Sequence, residues 1–162
     1  MIRRMLEKFA LKVLPRLVAE LPQRTIETAG EGPYLTRWYL WPRRPRTNEE
    51  HGGFAVFVHF FWRGDKDRDL HNHPWSRSLS VILAGGYREE RFDGDGRLVS
   101  RVKRPGDLNV IAGEDFHRVD LLEPEHGSWS LFIAGPRTKS WGFKNRVTRR
   151  FVPWEEYVDA GR

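Results

Sequence analysis

Two histidines stand two positions apart in the stretch Asp69-Leu70-His71-Asn72-His73-Pro74-Trp75. In a β-strand, side chains two positions apart point to the same face, so the rings of His71 and His73 are expected to converge. A third histidine, His117, lies downstream on another predicted strand. Neutral imidazole is a ligand of zinc, copper, iron and nickel, so three converging histidines indicate a metal site.

Short alternating apolar segments, separated by glycine and proline turns, surround this stretch and predict an all-β fold with a small antiparallel barrel. Strands are predicted at 34–41, 54–62, 71–73, 78–84, 87–92, 97–103, 108–111, 117–122 and 128–134. We predict a single domain over 1–162, with an N-terminal helix and arm (1–53), a barrel core (54–135) and a C-terminal extension (136–162).

An amphipathic helix is predicted over 2–21, interrupted at Pro15, which cannot donate a helical hydrogen bond. Its apolar stripe is expected to pack on the barrel or on a second copy of the chain, which makes a homodimer a candidate assembly. Its polar face is basic, so a helix lying on a membrane surface is the alternative. A short helix is also predicted over 154–158 in the extension.

The composition narrows the class of protein. The 162 residues are 39% hydrophobic and 13% aromatic, which is too apolar for a disordered chain. There is no cysteine, which excludes disulfides, thiolate ligands and a thiol nucleophile. Charged residues interrupt the N-terminal apolar stretch, so we expect no secretory signal and a cytoplasmic location. The net charge of +6 leaves nucleic acid or an anionic membrane open as partners, but a solvated basic surface is the favoured interpretation.

The core of the chain resembles the cupin superfamily, whose small barrels carry two sequence motifs. The first motif pairs HxH with a Glu and then a Gly; His71 and His73 match it, Ser78 stands at the Glu position and Gly85 at the Gly. The second motif runs from a Gly to a His, here Gly106 and His117, although Ala112 and Glu114 replace its turn residues. The stretch around His71, with Gly85-Gly86-Tyr87, also resembles small uncharacterised bacterial and phage cupins. HNH nucleases are excluded, because they spread those residues through a ββα unit.

The resemblance implies a mononuclear metal site with three imidazole ligands, because Ser78 is a poor substitute for the usual Glu. Three-His cupins include thiol dioxygenases, which hold iron(II) and bind substrate and O₂ at the open positions. Fe(II) is therefore the expected metal, with Zn, Ni and Mn as alternatives. Asp69 and Glu114 are the carboxylates nearest in sequence, but neither stands at the family position.

Strand alternation gives candidate pocket residues. If Ser78 faces inward, so does Ser80, and two inward hydroxyls suit a small polar substrate. Arg137, after the last barrel strand, is a candidate to bind a substrate carboxylate. His59, inside an apolar strand, is either a hydrogen-bonded core residue or a catalytic group that lines the pocket. Tyr87 is a candidate catalytic acid.

The predicted function is a metal-dependent enzyme, an iron(II) oxygenase of the three-His type acting on a small polar molecule. One alternative is a metal-independent sugar isomerase or epimerase, in which His73 or His117 acts as base and Tyr87 as acid. The other alternative is a non-catalytic module that binds a small molecule or an anionic surface.

Overall fold

The structure, a computed structural model, describes residues 2–28, 30–44, 53–65 and 69–159, apart from the side chains of residues 2, 158 and 159. Within these ranges the secondary structure consists of the following helices and strands: α1 (Ile2–Lys12), α2 (Leu14–Val18), β1 (Gln23–Thr28), β2 (Gly32–Trp41), β3 (Ala55–Phe61), β4 (Leu70–His71), β5 (Arg77–Ala84), β6 (Tyr87–Phe92), β7 (Leu98–Lys103), β8 (Leu108–Ala112), β9 (His117–Leu121), β10 (Ser128–Ala134), β11 (Gly142–Lys144), β12 (Phe151–Pro153) and α3 (Trp154–Asp159).

The strands form two antiparallel sheets of six strands each. The first sheet has the order β1-β2-β3-β10-β5-β8 and the second β12-β11-β4-β9-β6-β7. Residues from both sheets meet in a buried cluster of Ile82, Tyr87, Val119 and Leu121, with Phe61 packed against it. The all-β jelly-roll barrel predicted from the sequence is confirmed.

The first helix is broken near Pro15, as predicted, and the two pieces pack on the outer face of the first sheet. Ala10, Leu14 and Val18 recur at i+4 spacing and are buried against Val58 and Trp129. Other residues of the predicted stripe remain exposed in this chain: Met5, Phe9, Val13 and Leu17. Whether a second copy covers them stays a prediction.

Three strands were not predicted, namely β1, β11 and β12. Gln23–Thr28 is polar and mostly exposed, so it lacks the apolar alternation that marks a half-buried strand. β11 and β12 have three residues each, which is too short for a periodic signal. The C-terminal extension therefore adds two strands to the second sheet, whereas a surface path was expected; its helix, α3, is confirmed.

The strand expected to carry both HxH histidines is shorter than predicted. β4 contains Leu70 and His71 only, and His73 lies just beyond it, before Pro74. A proline lacks the backbone N–H needed to continue the ladder, which agrees with the early end of the strand. In the described part of the chain, no helix combines the length and apolar character needed to cross a membrane.

The packing of α2 predicts a contrast between two leucines on the same helix. Leu14 is 7% exposed and Leu17 is 60% exposed. Leu14→Ala is expected to lower the free energy of unfolding by about 2–4 kcal/mol through lost burial and a residual cavity. Leu17→Ala is expected to change it by less than about 0.5 kcal/mol. Urea denaturation measures both, and equal losses would contradict the observed packing.

Candidate metal centre

Three histidines converge on the inner face of the second sheet. His71 of β4 lies directly opposite His117 of β9 in the ladder, so both rings stand on one side of the sheet. One nitrogen from each of His71, His73 and His117 lies within 4.8 Å of the others. The Nε2 atoms of His73 and His117 are 2.8 Å apart. The structure therefore brings together the three residues that the sequence predicted.

The spacing of two of the three nitrogens, those of His73 and His117, fits a shared ion. Imidazole nitrogens bind metals at about 2.0–2.1 Å, so two of them at right angles around one ion are about 3 Å apart. The observed 2.8 Å separation of the two Nε2 atoms is close to that value. Among the described residues, no aspartate or glutamate joins the cluster, which leaves coordination positions for other ligands.

Glu89 fixes the orientation of His117. Its Oε1 lies 2.8 Å from Nδ1 of His117, and its carboxylate is 1% exposed. Burial would raise the pKa of Glu89, but the hydrogen bond and charge of His117, with bonds from Arg91 and Asn109, lower it to about 2. An ionised carboxylate only accepts hydrogen bonds, so Nδ1 of His117 donates. With the Nδ1 proton directed at Glu89, the Nε2 atom of His117 is the ring nitrogen that faces His73.

Arg91 and Asn109 complete the environment of Glu89. Arg91 donates from Nη2 to both carboxylate oxygens, at 2.8 and 2.9 Å, and to Asn109 Oδ1 at 2.9 Å. Asn109 donates from Nδ2 to Glu89 Oε1 at 2.8 Å. Such a chain of partners, from ligand to carboxylate to guanidinium, is the support that metal-binding histidines usually have.

The ring of His71 has a different acidic neighbour, Asp65. Oδ2 of Asp65, a buried residue, lies 3.8 Å from Nδ1 of His71 and accepts a bond from the backbone N–H of Val119 at 2.9 Å. Asn72 points away from the cluster, as expected: its Oδ1 accepts the N–H of Gly142, and its own N–H donates to the Gly142 carbonyl. The HxH segment is thus held to β11.

His73 lies against an aromatic wall. Its ring stacks on Trp75 with 5.5 Å between centroids and is 5.9 Å from the ring of Phe132. Burial, followed by the charges of His117 and His71, lowers the pKa of His73 well below 6.5. His73 therefore stays neutral, which is the form that binds a metal.

His59 and Tyr87 lie inside the barrel but contact different groups. Nε2 of His59 accepts a hydrogen bond from Nε of Arg37 at 2.9 Å, and its ring stacks on Phe132 at 4.8 Å. Burial, followed by the charge of Arg37, lowers the pKa of His59 well below 6.5. The hydroxyl of Tyr87 accepts from Asn109 at 3.2 Å, and burial raises its pKa to about 12. Tyr87 is thus linked to His117 through Asn109 and Glu89.

The two serines are buried, as strand alternation predicted. Ser78 is 3% exposed and its Oγ has no hydrogen-bond partner among the residues that the structure describes, whereas Ser80 bonds to Tyr87. Arg137 pairs through its backbone with Trp75 and is partly buried. The substrate-binding roles of Ser78, Ser80 and Arg137 and the catalytic roles of His59 and Tyr87 stay predictions.

The two carboxylates considered as substitute ligands lie elsewhere. Asp69 accepts a hydrogen bond from Asn145 at 3.0 Å, and Glu114 pairs with Lys139 at 2.7 Å at the surface. Sequence reasoning missed Glu89, which supports the site. The pattern Tyr87-x-Glu89-x-Arg91 on one strand face was its available signal, because an inward acid needs an inward partner.

No protein-family model and no curated protein matches the chain. Solved structures match its fold. A variant of Bacillus subtilis oxalate decarboxylase is 17% identical over 74% of this chain and 28% of its own, with a TM-score of 0.52. A structure of that enzyme studied for its Mn(II) centres is 16% identical over 87% and 32%, with a TM-score of 0.55. The formate complex of Lactobacillus farciminis oxalate decarboxylase is 19% identical over 76% and 32%, with a TM-score of 0.52. The chain has the cupin fold and spans less than a third of the length of these enzymes.

The lowered pKa values of His59 and His73 predict how stability depends on pH in the metal-free protein. Below about pH 6.5 the unfolded chain takes up protons that the folded chain does not, so stability is full above that pH and falls below it. We expect the Tm to fall between about pH 6.5 and 5. Each of the two histidines contributes up to about 1.4 kcal/mol per pH unit.

Calorimetry of two variants tests the assignment. His59→Gln keeps an acceptor for Arg37 but cannot titrate, so its Tm should fall less steeply. His126→Gln is the control, because His126 is exposed at the surface. A pH slope unchanged by His59→Gln would contradict a buried neutral His59.

Proposed function

We propose that this cupin binds one divalent metal ion through His71, His73 and His117. The single observation that carries the proposal is the convergence of three imidazole nitrogens within 4.8 Å, drawn from two distant segments. The Glu89 carboxylate supports it, because it leaves the lone pair of His117 Nε2 directed at the cluster. A packing role alone does not require this chain of buried charges behind one ring.

We further propose that the protein is a mononuclear iron(II) oxygenase acting on a small polar molecule. Three protein ligands with open positions are typical of catalytic metal sites, and a closed set is typical of structural ones. When bound, iron(II) would supply O₂ activation and Lewis acidity at those positions. The chain itself would orient the ligands through Glu89 and Asp65 and shield one side of the site with Trp75 and Phe132.

Manganese is the alternative metal, since related solved structures were studied for their Mn(II) centres. Oxygen uptake by iron(II)-loaded protein, screened with amino acids and thiols, distinguishes the oxygenase from other metal chemistry. Metal-dependent uptake with any candidate supports the oxygenase. Stoichiometric manganese, with no uptake in either metal form, would contradict it.

Metal content tests the binding proposal directly. Protein purified without a histidine tag is expected to hold about one divalent ion per chain by elemental analysis, and His73→Ala is expected to lose it. His126→Ala is the matched control, because His126 lies exposed beside Glu123 and should keep the ion. Wild-type protein that takes up no iron, manganese, zinc or nickel would refute the metal site and favour the metal-independent isomerase.

Two neighbouring glutamates give a second test. Glu89→Gln is expected to weaken metal affinity about 10- to 100-fold, because the amide no longer provides a charged acceptor for His117. Glu90 is on the same strand but pairs with Arg118 at 2.7 Å, so Glu90→Gln should bind metal like the wild type. Competition with a chromophoric chelator measures both affinities, after circular dichroism confirms folding. Equal affinities in the two variants would contradict the supporting role of Glu89.

A further inference from the structure

Arg37 places a guanidinium on the inner face of the first sheet. It lies directly opposite His59 on the neighbouring strand, and its Nε donates to His59 Nε2 at 2.9 Å. Its Cζ is 4.8 Å from the ring centroid of Phe57 and 5.6 Å from that of Trp75. The guanidinium is therefore held between aromatic rings inside the barrel.

Within the described residues, the partners of the Arg37 side chain are uncharged: it bonds to His59 and to the hydroxyl of Tyr39. Over the described ranges of the chain, no carboxylate forms an ion pair with it, whereas Arg91 is paired with Glu89 at 2.8 Å. His59 accepts its hydrogen bond as a neutral ring and brings no negative charge. Withdrawing a cation from water is costly unless an anion compensates, and the aromatic rings provide only part of that compensation.

Arg37 shares its surroundings with the histidine cluster. The ring of Trp75 contacts both the guanidinium and His73. Phe132 likewise stacks near both His59 and His73. Trp75 and Phe132 thus connect the surroundings of Arg37 and His59 with those of the histidine cluster.

A second polar side chain lies beside His59 on the inner face of the first sheet. Ser130 lies directly opposite His59 in the β3–β10 ladder, so the two side chains share the inner face. Ser130 is fully buried, and no group in the described part of the chain forms a hydrogen bond with its Oγ. A buried hydroxyl without a partner is uncommon in folded proteins and marks a place for a polar ligand atom.

We infer that Arg37 and His59, with Ser130 beside them, form an anion subsite that takes the carboxylate of a small carboxylic acid. The inference rests on the proposed function in making that acid the substrate of the metal centre. The planar fork of a guanidinium matches a carboxylate, and Arg37 brings one positive charge to this inner face. A doubly charged phosphate would need more cations than Arg37 supplies. Arg37 thus replaces Arg137 as our first candidate for carboxylate binding.

Binding of propionate and propionamide to the metal-free protein tests the subsite. The two probes have nearly the same shape and differ in charge, and removing metal with a chelator keeps the histidine cluster from ligating the carboxylate. NMR titration of the tryptophan indole signals should show propionate binding at least about 10-fold tighter than propionamide, as expected for a charge-assisted pair. Arg37→Gln should abolish that preference. Arg88→Gln makes the same charge change at an exposed site and should retain it.

Equal binding of the two probes to wild type, or an unchanged preference in Arg37→Gln, would overturn the inference. A crystal structure of wild type grown in propionate is independent of the variant's folding; a carboxylate on Arg37 supports the inference, and one bound elsewhere overturns it. Metal content separates the two proposals. If the protein prefers propionate but binds no metal, only the proposed metal centre is refuted. If it binds metal but shows no preference for propionate, only the proposed subsite is refuted.

Discussion

The buried carboxylate of Glu89 is the constraint on which the site depends. A charge inside a barrel is tolerated when it is paired and fully hydrogen-bonded, and Glu89 receives donors from Arg91, Asn109 and His117. Because an ionised carboxylate can only accept, it fixes which nitrogen of His117 carries the proton. The ring of His117 is then oriented before any ligand arrives. Removing Glu89 would release the His117 ring and leave Arg91 without its counter-ion.

Strand pairing in the second sheet positions the HxH segment beside His117. His71 faces His117 across one ladder pair, and β4 is too short to hold that register by itself. β11 holds it from the other side, through the two bonds between Asn72 and Gly142. A Cβ on Gly142 would collide with the Val152 carbonyl and the Phe151 ring, so this close packing requires a glycine. The C-terminal extension is therefore part of the scaffold of the site.

The sequence was sufficient to predict the three histidines and the barrel, because each depends on short-range periodicity. Alternation predicted the inner positions of Ser78 and Ser80, and the i, i+2 spacing paired His71 with His73. Glu89 and Arg37 were not predicted as parts of the site, since their significance depends on which residues lie opposite them in neighbouring strands. Pairing between distant strands is set by register, which a single sequence reveals only weakly. The short strand β11 was not predicted for another reason, because three residues are too few to show a periodic pattern.

In the resemblance to the cupin motif, a serine stands where a glutamate ligand is expected, which would change the charge of a metal site. Ser78 occupies that position, and among the described residues its buried hydroxyl has no hydrogen-bond partner. Three neutral imidazoles would leave the full charge of a divalent ion uncompensated, while the negative charge of Glu89 is already balanced by Arg91. Arg37 would add a further positive charge on the opposite wall. Two cations so placed would repel each other, and an anion between them would reduce that repulsion. On the proposed function, a substrate carboxylate would thus supply the negative charge that a glutamate ligand supplies in the usual motif, and Ser78 and Arg37 would be two parts of one electrostatic arrangement.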